Sequence, residues 1–456
     1  MTGTLQSIKM DLLKIKAKSK LPQQLRIAEE HYHLRPAGIR VVIENTMEAI
    51  IHNLPVKEID IFVFSDFENI FSVSDLKIRK KSPGKKINVH NVDIAELNYD
   101  PAPAKNKAEF LRTASKLKDQ IAYSINYGKC NVNFETCDIN TPFIFHLHGV
   151  PLGKNPYLCA AIWMLAEEYA RQKRPVWFLN QVHDFAENSR PEMLKRMQKC
   201  TGKYDPVFAA KIMYPNTRNM FYATINSRDA ENLQMIGIAP SRIFFLPNSI
   251  DTKFFTAKPI TKEKQYKQQL LKRIKEYSKK NLYFFDEKKK ILLSPLKLMR
   301  RKNNAETILL LMALNHFEDN YQLMITLEPG TGKDVDYANK IKEFIKINRL
   351  PVVIGLGNEF ISQSEKRKRK GKRVEEFTLP DVFALSDAIF TTSIIEGFGF
   401  CFHEGWLTGK AVMGRKLPYV CNDFEKNGLD FKHLYKKLWV KLDWIKNAER
   451  RINEVY

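Results

Sequence analysis

The sequence predicts an α/β protein of two successive Rossmann-like domains, and three features predict it. Apolar strand-length runs alternate with helix-length stretches from about residue 39 onward. The pattern lapses into a polar, Lys-rich segment over 256–290 and then restarts. At 456 residues the chain is also too long for one ordinary core and suits two domains of about 200 residues each.

The elements follow in order. Leu5, Ile8, Leu12 and Ile15 recur at helical spacing while Lys9, Lys14, Lys16 and Lys18 take other faces, so 1–25 reads as a basic amphipathic segment. Such a segment suits peripheral contact with an anionic inner membrane surface, and equally suits packing on its own protein. Ile39–Ile43 reads as a strand or its approach, Ile59–Ser65 and Phe143–His148 as buried strands, and Leu158–Gln172 as a helix. Val176–Leu179, Met220–Asn226 and Ile243–Leu246 continue the strands and complete a first domain over 26–250.

The second domain, 251–435, opens with the polar insertion 256–290, in which Lys262–Asn281 reads as a mostly solvated helix. Ile291–Leu293, a helix to Leu314, Leu323–Leu327, a helix to Asn348 and Val352–Leu356 then restart the alternation. A loop over 362–376 interrupts it, with seven basic residues among the eight of Lys366–Arg373. That run reads as solvated, with a phosphate-rich partner as the other reading. Ala388–Thr392, a helix after Gly399 and Ala411–Met413 follow, and 436–456 reads as a helix returning to the first domain. In open parallel sheets ligands bind beyond the carboxyl ends of the strands, so the two domains are expected to face each other across a shared cleft.

Composition excludes several classes. A 44% hydrophobic and 11% aromatic content is that of a globular chain. The longest apolar stretches, such as Ile308–Leu314, fall far short of the roughly 20 residues a membrane span needs. No basic start leads into an apolar run, so no signal peptide is expected. The six cysteines, Cys130, Cys137, Cys159, Cys200, Cys401 and Cys421, show no Cys-x-x-Cys spacing and suit free thiols in a cytoplasmic location. Lys and Arg number 74 against 51 Asp and Glu, a net charge of +23 that attracts polyanions or simply keeps the surface soluble. Nothing resembles an RNA-recognition motif, so nucleic acid is not an expected partner.

The most informative segment is Glu396-Gly397-Phe398-Gly399-Phe400-Cys401-Phe402-His403-Glu404-Gly405-Trp406. It follows an apolar strand, so its glycines fall where strand turns to helix and backbone can approach a ligand. The helix after Gly399 aims free N–H groups and positive dipole at that ligand, a natural diphosphate site. Glu396 stands in the loop and Glu404 about one turn into the helix, as hydroxyl acceptors. An ordinary strand-loop-helix is the alternative.

This segment resembles the Glu-x7-Glu motif of family-4 retaining glycosyltransferases of the GT-B fold, as does Gly409-Lys410-Ala411-Val412 after it. The resemblance implies that Glu396 contacts the transferred sugar and Glu404 the ribose of a nucleotide-sugar donor, with Phe398, Gly399 and Phe400 lining the donor. Leu293–Asn303 is similar to the stretch in which these enzymes set an Arg and a Lys five apart against the diphosphate. Lys302 fits, while Lys297 stands in place of Arg and keeps a point charge without the bidentate fork. Phe245-Leu246-Pro247-Asn248-Ser249-Ile250-Asp251 resembles the turn that joins the two domains.

First-domain segments are expected on the acceptor side. Pro36-Ala37-Gly38 resembles a Gly-Gly loop, with Gly38 kept and Ala37 replacing the other. His146-Leu147-His148-Gly149 ends a strand, and alternation puts both imidazoles on one face. No third ligand is evident nearby, so no metal is expected. The resemblance favours His148 as the cleft histidine, with His146 in the core, and sets His183 and Asp184 near the acceptor or in a supporting loop. The chain is thus expected to be a hexosyltransferase that needs no cofactor beyond the nucleotide sugar, acting on an unknown small molecule, lipid or glycan. An epimerase of the same architecture and an inactive basic binding protein are the alternatives.

Overall fold

The structure, a computed structural model, describes residues 23–34, 38–67, 74, 76, 83–98, 101–127, 141–188, 190–201, 205–329, 333–362, 367–371, 373–441, 443, 447 and 450. The chain divides into two compact units, Met1–Ser249 and Ile250–Tyr456.

The first unit is built on seven parallel strands: β1 (Gln24–His33), β2 (Glu58–Asp66), β3 (Lys86–Asp93), β4 (Phe143–His148), β5 (Val176–Val182), β6 (Met220–Thr224) and β7 (Ile243–Phe245). Their spatial order is β3-β2-β1-β4-β5-β6-β7, so the chain winds outward one way from β1 and then the other way from β4. Helix α1 (Gly38–Asn53) covers one face. It packs Ile43, Met47 and Ile51 against Ile27, Ile59 and Ile61. Helices α2 (Lys107–Tyr127) and α3 (Pro156–Arg171) cover the other, over Phe62, Phe64, Phe145 and Phe178. Apolar burial on both faces is what a parallel sheet requires.

Two sequence expectations change here. Ile39–Ile43 is the first turn of α1 rather than a strand. Its β-branched residues suggest a strand, but Ile43, Met47 and Ile51 repeat every four positions, and packing on the sheet overrides local propensity. The strand in that region is β1, whose second half, Glu29-Glu30-His31-Tyr32-His33, is too polar to read as a buried strand although it is one.

The second unit carries five parallel strands: β8 (Lys290–Lys297), β9 (Tyr321–Leu327), β10 (Val352–Ile354), β14 (Ala388–Thr391) and β15 (Val412–Gly414), in the order β10-β9-β8-β14-β15. A small second sheet holds β11 (Ile361–Ser362), β12 (Lys368–Lys370) and β13 (Arg373–Thr378) in the order β11-β13-β12. Much of the basic run 366–373 is therefore a hairpin, β12 antiparallel to β13, rather than an irregular loop. Helix α4 (Lys264–Lys280), within the polar 256–290 segment, turns Leu270 and Ile274 into the core beside Val374 and Phe377. Helix α5 (Asn304–Phe317) buries Ile308 and Leu311 in a second cluster with Leu323 and Phe390. Gly414 has φ +124, and a Cβ there would meet Thr391 O at 1.9 Å, so β15 lies against β14 only because that residue has no side chain. Residues 436–441 form no helix, most of 442–456 lies outside the described residues, and so does the 1–22 part of the amphipathic segment.

Asp381, fully buried in helix α6 (Leu379–Leu385), joins three separate pieces of this unit. Its carboxylate accepts from Thr378 N and Oγ1 at 2.9 and 2.8 Å, and from Ile260 N at 2.9 Å. It also takes both donors of Arg367 at 2.9 Å. Replacing Asp381 by Ala strands a partly buried guanidinium and two amide donors, and is expected to cost about 3–5 kcal/mol. Denaturant unfolding checks this, with Asp381→Asn falling between Ala and the parent because it keeps part of the acceptor set.

Candidate functional site

In each unit polar side chains collect on or just after the two strands that flank the reversal of strand order, and doubly wound sheets bind ligands beyond the carboxyl ends of such strands. In the second unit those strands are β8 and β14, which pair in parallel through Ala388 with Leu292 and Ile389 with Leu293. After β8 the chain makes a single 3-10 turn, Arg300–Lys302. It then passes through Asn303 in the left-handed region at φ 52 and enters α5. After β14 it crosses Thr392–Gly399 and enters helix α7 (Phe400–Leu407), with Gly399 at φ 76 as its N-cap.

These two loops are stitched together. Ile394 N donates to Arg301 O at 3.0 Å, and Thr392 Oγ1 donates to Asn303 O at 2.9 Å while lying 2.6 Å from Thr307 Oγ1. The consequence is that Lys302 Nζ and Glu396 Oε1 meet at 2.5 Å, both side chains almost fully covered. Ser393 Oγ donates to the same oxygen at 2.7 Å. Burial pushes the Lys302 ammonium below its ordinary value, opposed by the Glu396 charge. Glu404 also senses both neighbours. Its carboxyl is raised to about 7, first by burial and then by the Glu396 charge, against the pull of Lys302.

The structure therefore brings Lys302, Glu396 and Glu404 into one electrostatic group. Lys297 is exposed at the end of β8. Phe398 stacks on His403, with centroids 4.5 Å apart and planes at 13°, and meets Phe400 edge-on at 5.0 Å. A Cβ on Gly399 would come within 2.6 Å of Val420 Cγ1, so the turn needs glycine for space as well as for φ. Lys410 serves a scaffold role: its ammonium donates to Ser386 O at 2.5 Å and Ala384 O at 3.3 Å, closing the carboxyl end of α6.

In the first unit the reversal lies between β1 and β4, which run in register with Glu29 beside His146. Glu29 Oε2 is 3.0 Å from His146 Nδ1 and 2.8 Å from His148 Nε2, and all three side chains are buried. His146 Nε2 faces Gln181 Oε1 at 3.1 Å, and His148 Nδ1 faces His183 Nε2 at 3.1 Å. Burial opposes the charge on Glu29, but the two imidazoles bring its carboxyl down to about 2. Burial, helped by the neighbouring His146, lowers His148 to about 4. His148 is fully buried, whereas His183 is partly exposed. Asp184 is taken up by Arg190, whose Nε donates at 2.7 Å, and by Phe185 N at 3.1 Å. Gly38 opens α1, where a Cβ would meet nothing within 4 Å, and Pro36 and Ala37 lie outside the described residues.

Glu29 is the group sequence reading missed. Its signal was the run Glu-Glu-His-Tyr-His at the end of an apolar stretch, chemistry concentrated where a strand meets its loop. The Thr307–Thr392 contact joins residues 85 positions apart and has no local signature.

Two parallel α/β units with this strand order and polar groups at each reversal define the GT-B architecture of glycosyltransferases, and the chain has that fold. Comparison with known proteins agrees. The chain is 25% identical over 397 residues to mannosylglucosyl-3-phosphoglycerate synthase of Petrotoga mobilis, an alignment covering 87% of this chain and 65% of the relative's length. The fold is similar to that of Anabaena Alr3699/HepE in complex with UDP-glucose, with a TM-score of 0.51 and 11% identity, covering 95% of this chain and 90% of that one. The same protein with UDP and glucose gives 0.50 at 11% identity, covering 90% and 85%. No family model matches the chain.

The raised Glu404 carboxyl makes a testable demand. The folded state keeps a proton that the unfolded state releases, so stability falls as pH rises from about 4.5 to about 7. Glu404→Gln removes this dependence. Melting temperatures of parent and variant are expected to diverge across that window in the variant's favour, and parallel curves would show that Glu404 titrates normally.

Proposed function

We infer that the protein transfers a hexosyl group from a nucleoside-diphosphate sugar to an acceptor hydroxyl, with retention at the anomeric carbon. The observation that carries this reading is the covered Lys302–Glu396 pair beside Glu404, set where strands β8 and β14 diverge. In the free protein the two charges satisfy each other. A donor diphosphate draws Lys302 away, and Lys302, Lys297 and the N–H groups at the start of α7 then stabilise the negative charge growing on the departing nucleotide. Glu396, released, accepts from hydroxyls of the transferred sugar, and Glu404 from those of the ribose. No metal is required at the diphosphate in this reading.

The first unit supplies the acceptor side. His183 is the accessible end of the His148–His183 pair, so it is the imidazole that meets an acceptor, with His148 and Glu29 fixing its orientation. The Petrotoga relative is named for a phosphoglycerate glycoside. A small anionic acceptor is therefore the first to try, and the net charge of +23 favours its approach. No helix among the described residues is long and apolar enough to cross a membrane.

The test begins with thermal shifts on uridine, guanosine and adenosine diphosphates and their sugars, then follows transfer with the donor that binds. A ligand at 100 times its dissociation constant stabilises by about 2.7 kcal/mol. Glu396→Gln and Lys302→Ala are each expected to lower transfer about 10²–10³-fold. Lys302→Ala should also weaken nucleotide-diphosphate binding, while Glu396→Gln leaves it near the parent. Two variants as active as the parent would refute the assignment, and nuclear magnetic resonance of the product gives its anomeric configuration.

A further inference from the structure

The first-unit cluster holds a group that donor chemistry does not use. Gln181 Nε2 donates to Leu246 O at 3.2 Å, which settles the orientation of its amide and turns Oε1 toward His146. His146 Nε2, 3.1 Å from that oxygen, must then carry a hydrogen. If the ring is neutral, Nδ1 presents a lone pair to the Glu29 carboxylate 3.0 Å away. Two acceptors face each other there, and only a positive particle between them makes the contact favourable. That particle is either a proton on His146 or a metal ion.

Three further observations favour the ion. First, Glu29 Oε1 is buried and has no hydrogen-bond partner among the described residues, a cost that a proton on His146 leaves in place. A cation bound by both carboxylate oxygens removes it. Second, His148 brings Nε2 to 2.8 Å from Glu29 Oε2, and the ligand atoms of Glu29, His146 and His148 all lie within 4.8 Å of one another. Third, each imidazole is braced from behind, His146 by Gln181 and His148 by His183. Metal-bound histidines are ordinarily held in this way, with the far ring nitrogen on a polar partner.

We propose that Glu29, His146 and His148 bind a divalent first-row transition ion of the zinc class. Two imidazoles and one carboxylate suit Zn²⁺ or Co²⁺ better than the hard cations, which prefer all-oxygen sets. The ion joins β1 to β4 at the strand reversal, held by two imidazole nitrogens and the two oxygens of one carboxylate. This site is independent of the donor diphosphate, and the proposal stands or falls apart from the transferase reading.

The experiment uses the full chain, stripped with a chelator and dialysed against Zn²⁺ or Co²⁺. Elemental analysis is expected to find one equivalent per chain and a raised melting temperature. The cobalt form should show the visible bands of a nitrogen–oxygen site without the near-ultraviolet band of thiolate ligation. Glu29→Gln and His146→Asn, close in shape to the parent residues, should lose the bound ion. A parent chain that remains metal-free after loading overturns the proposal whatever the variants do. So does a thiolate band, which moves the ion to a cysteine, or uptake by both variants equal to the parent's. In the metal-free case, a proton on His146 is what bridges the pair.

Discussion

The second unit depends on a buried ion pair between residues 94 positions apart in sequence. Lys302 and Glu396 are each nearly sealed from water, a placement that is tolerable only while each charge has the other. The pair fixes the loop after β8 against the loop after β14, and the Thr307–Thr392 and Arg301–Ile394 contacts hold that register from behind. A pair of this kind adds little net stability, because desolvation offsets most of the attraction. In the proposed transfer, what it supplies is readiness: an incoming dianionic group finds a cation already stripped of water and an acceptor that becomes available as the cation leaves.

The same topological fact sets the stage in both units. A parallel sheet whose order reverses leaves two adjacent loops parting in opposite directions, and side chains at the ends of the central strands line the gap. In the second unit the gap collects lysine and glutamate, and in the first it collects histidine and glutamate. The Lys-rich composition seen in the whole chain is thus absent from the covered part of the first-unit cluster, where imidazoles gather around one carboxylate.

Much of the architecture was legible in the sequence. β4 was read at its observed bounds and β5, β8, β9 and α3 near theirs, because apolar runs of strand length between helical stretches have few other solutions. The meeting of Lys302 with Glu396 was expected only through the resemblance to family-4 glycosyltransferases, since the spacing of two carboxylates along the chain says nothing of a lysine 94 residues away. β1 was not legible, since a strand that buries Glu29, Glu30, His31 and Tyr32 violates the rule by which buried strands are recognised. Ile39–Ile43 failed for the opposite reason: β-branched residues in a helix whose inward face is chosen by the sheet beneath it. The third member of the histidine cluster was hidden because its proximity comes from strand pairing over 117 residues and not from spacing.

Lys410 carries a lesson about what a motif records. It belongs to the Gly-Lys segment that trails the two carboxylates, yet its ammonium is spent on backbone oxygens of Ser386 and Ala384. The helix it seals also holds Asp381, the knot that ties the basic hairpin and the 260–262 turn to the sheet. A signature that looks wholly chemical is therefore partly architectural. Its last letter speaks for the mechanical integrity of the lobe, and tolerance to change at that position follows how much strain the lobe can absorb rather than any ligand chemistry.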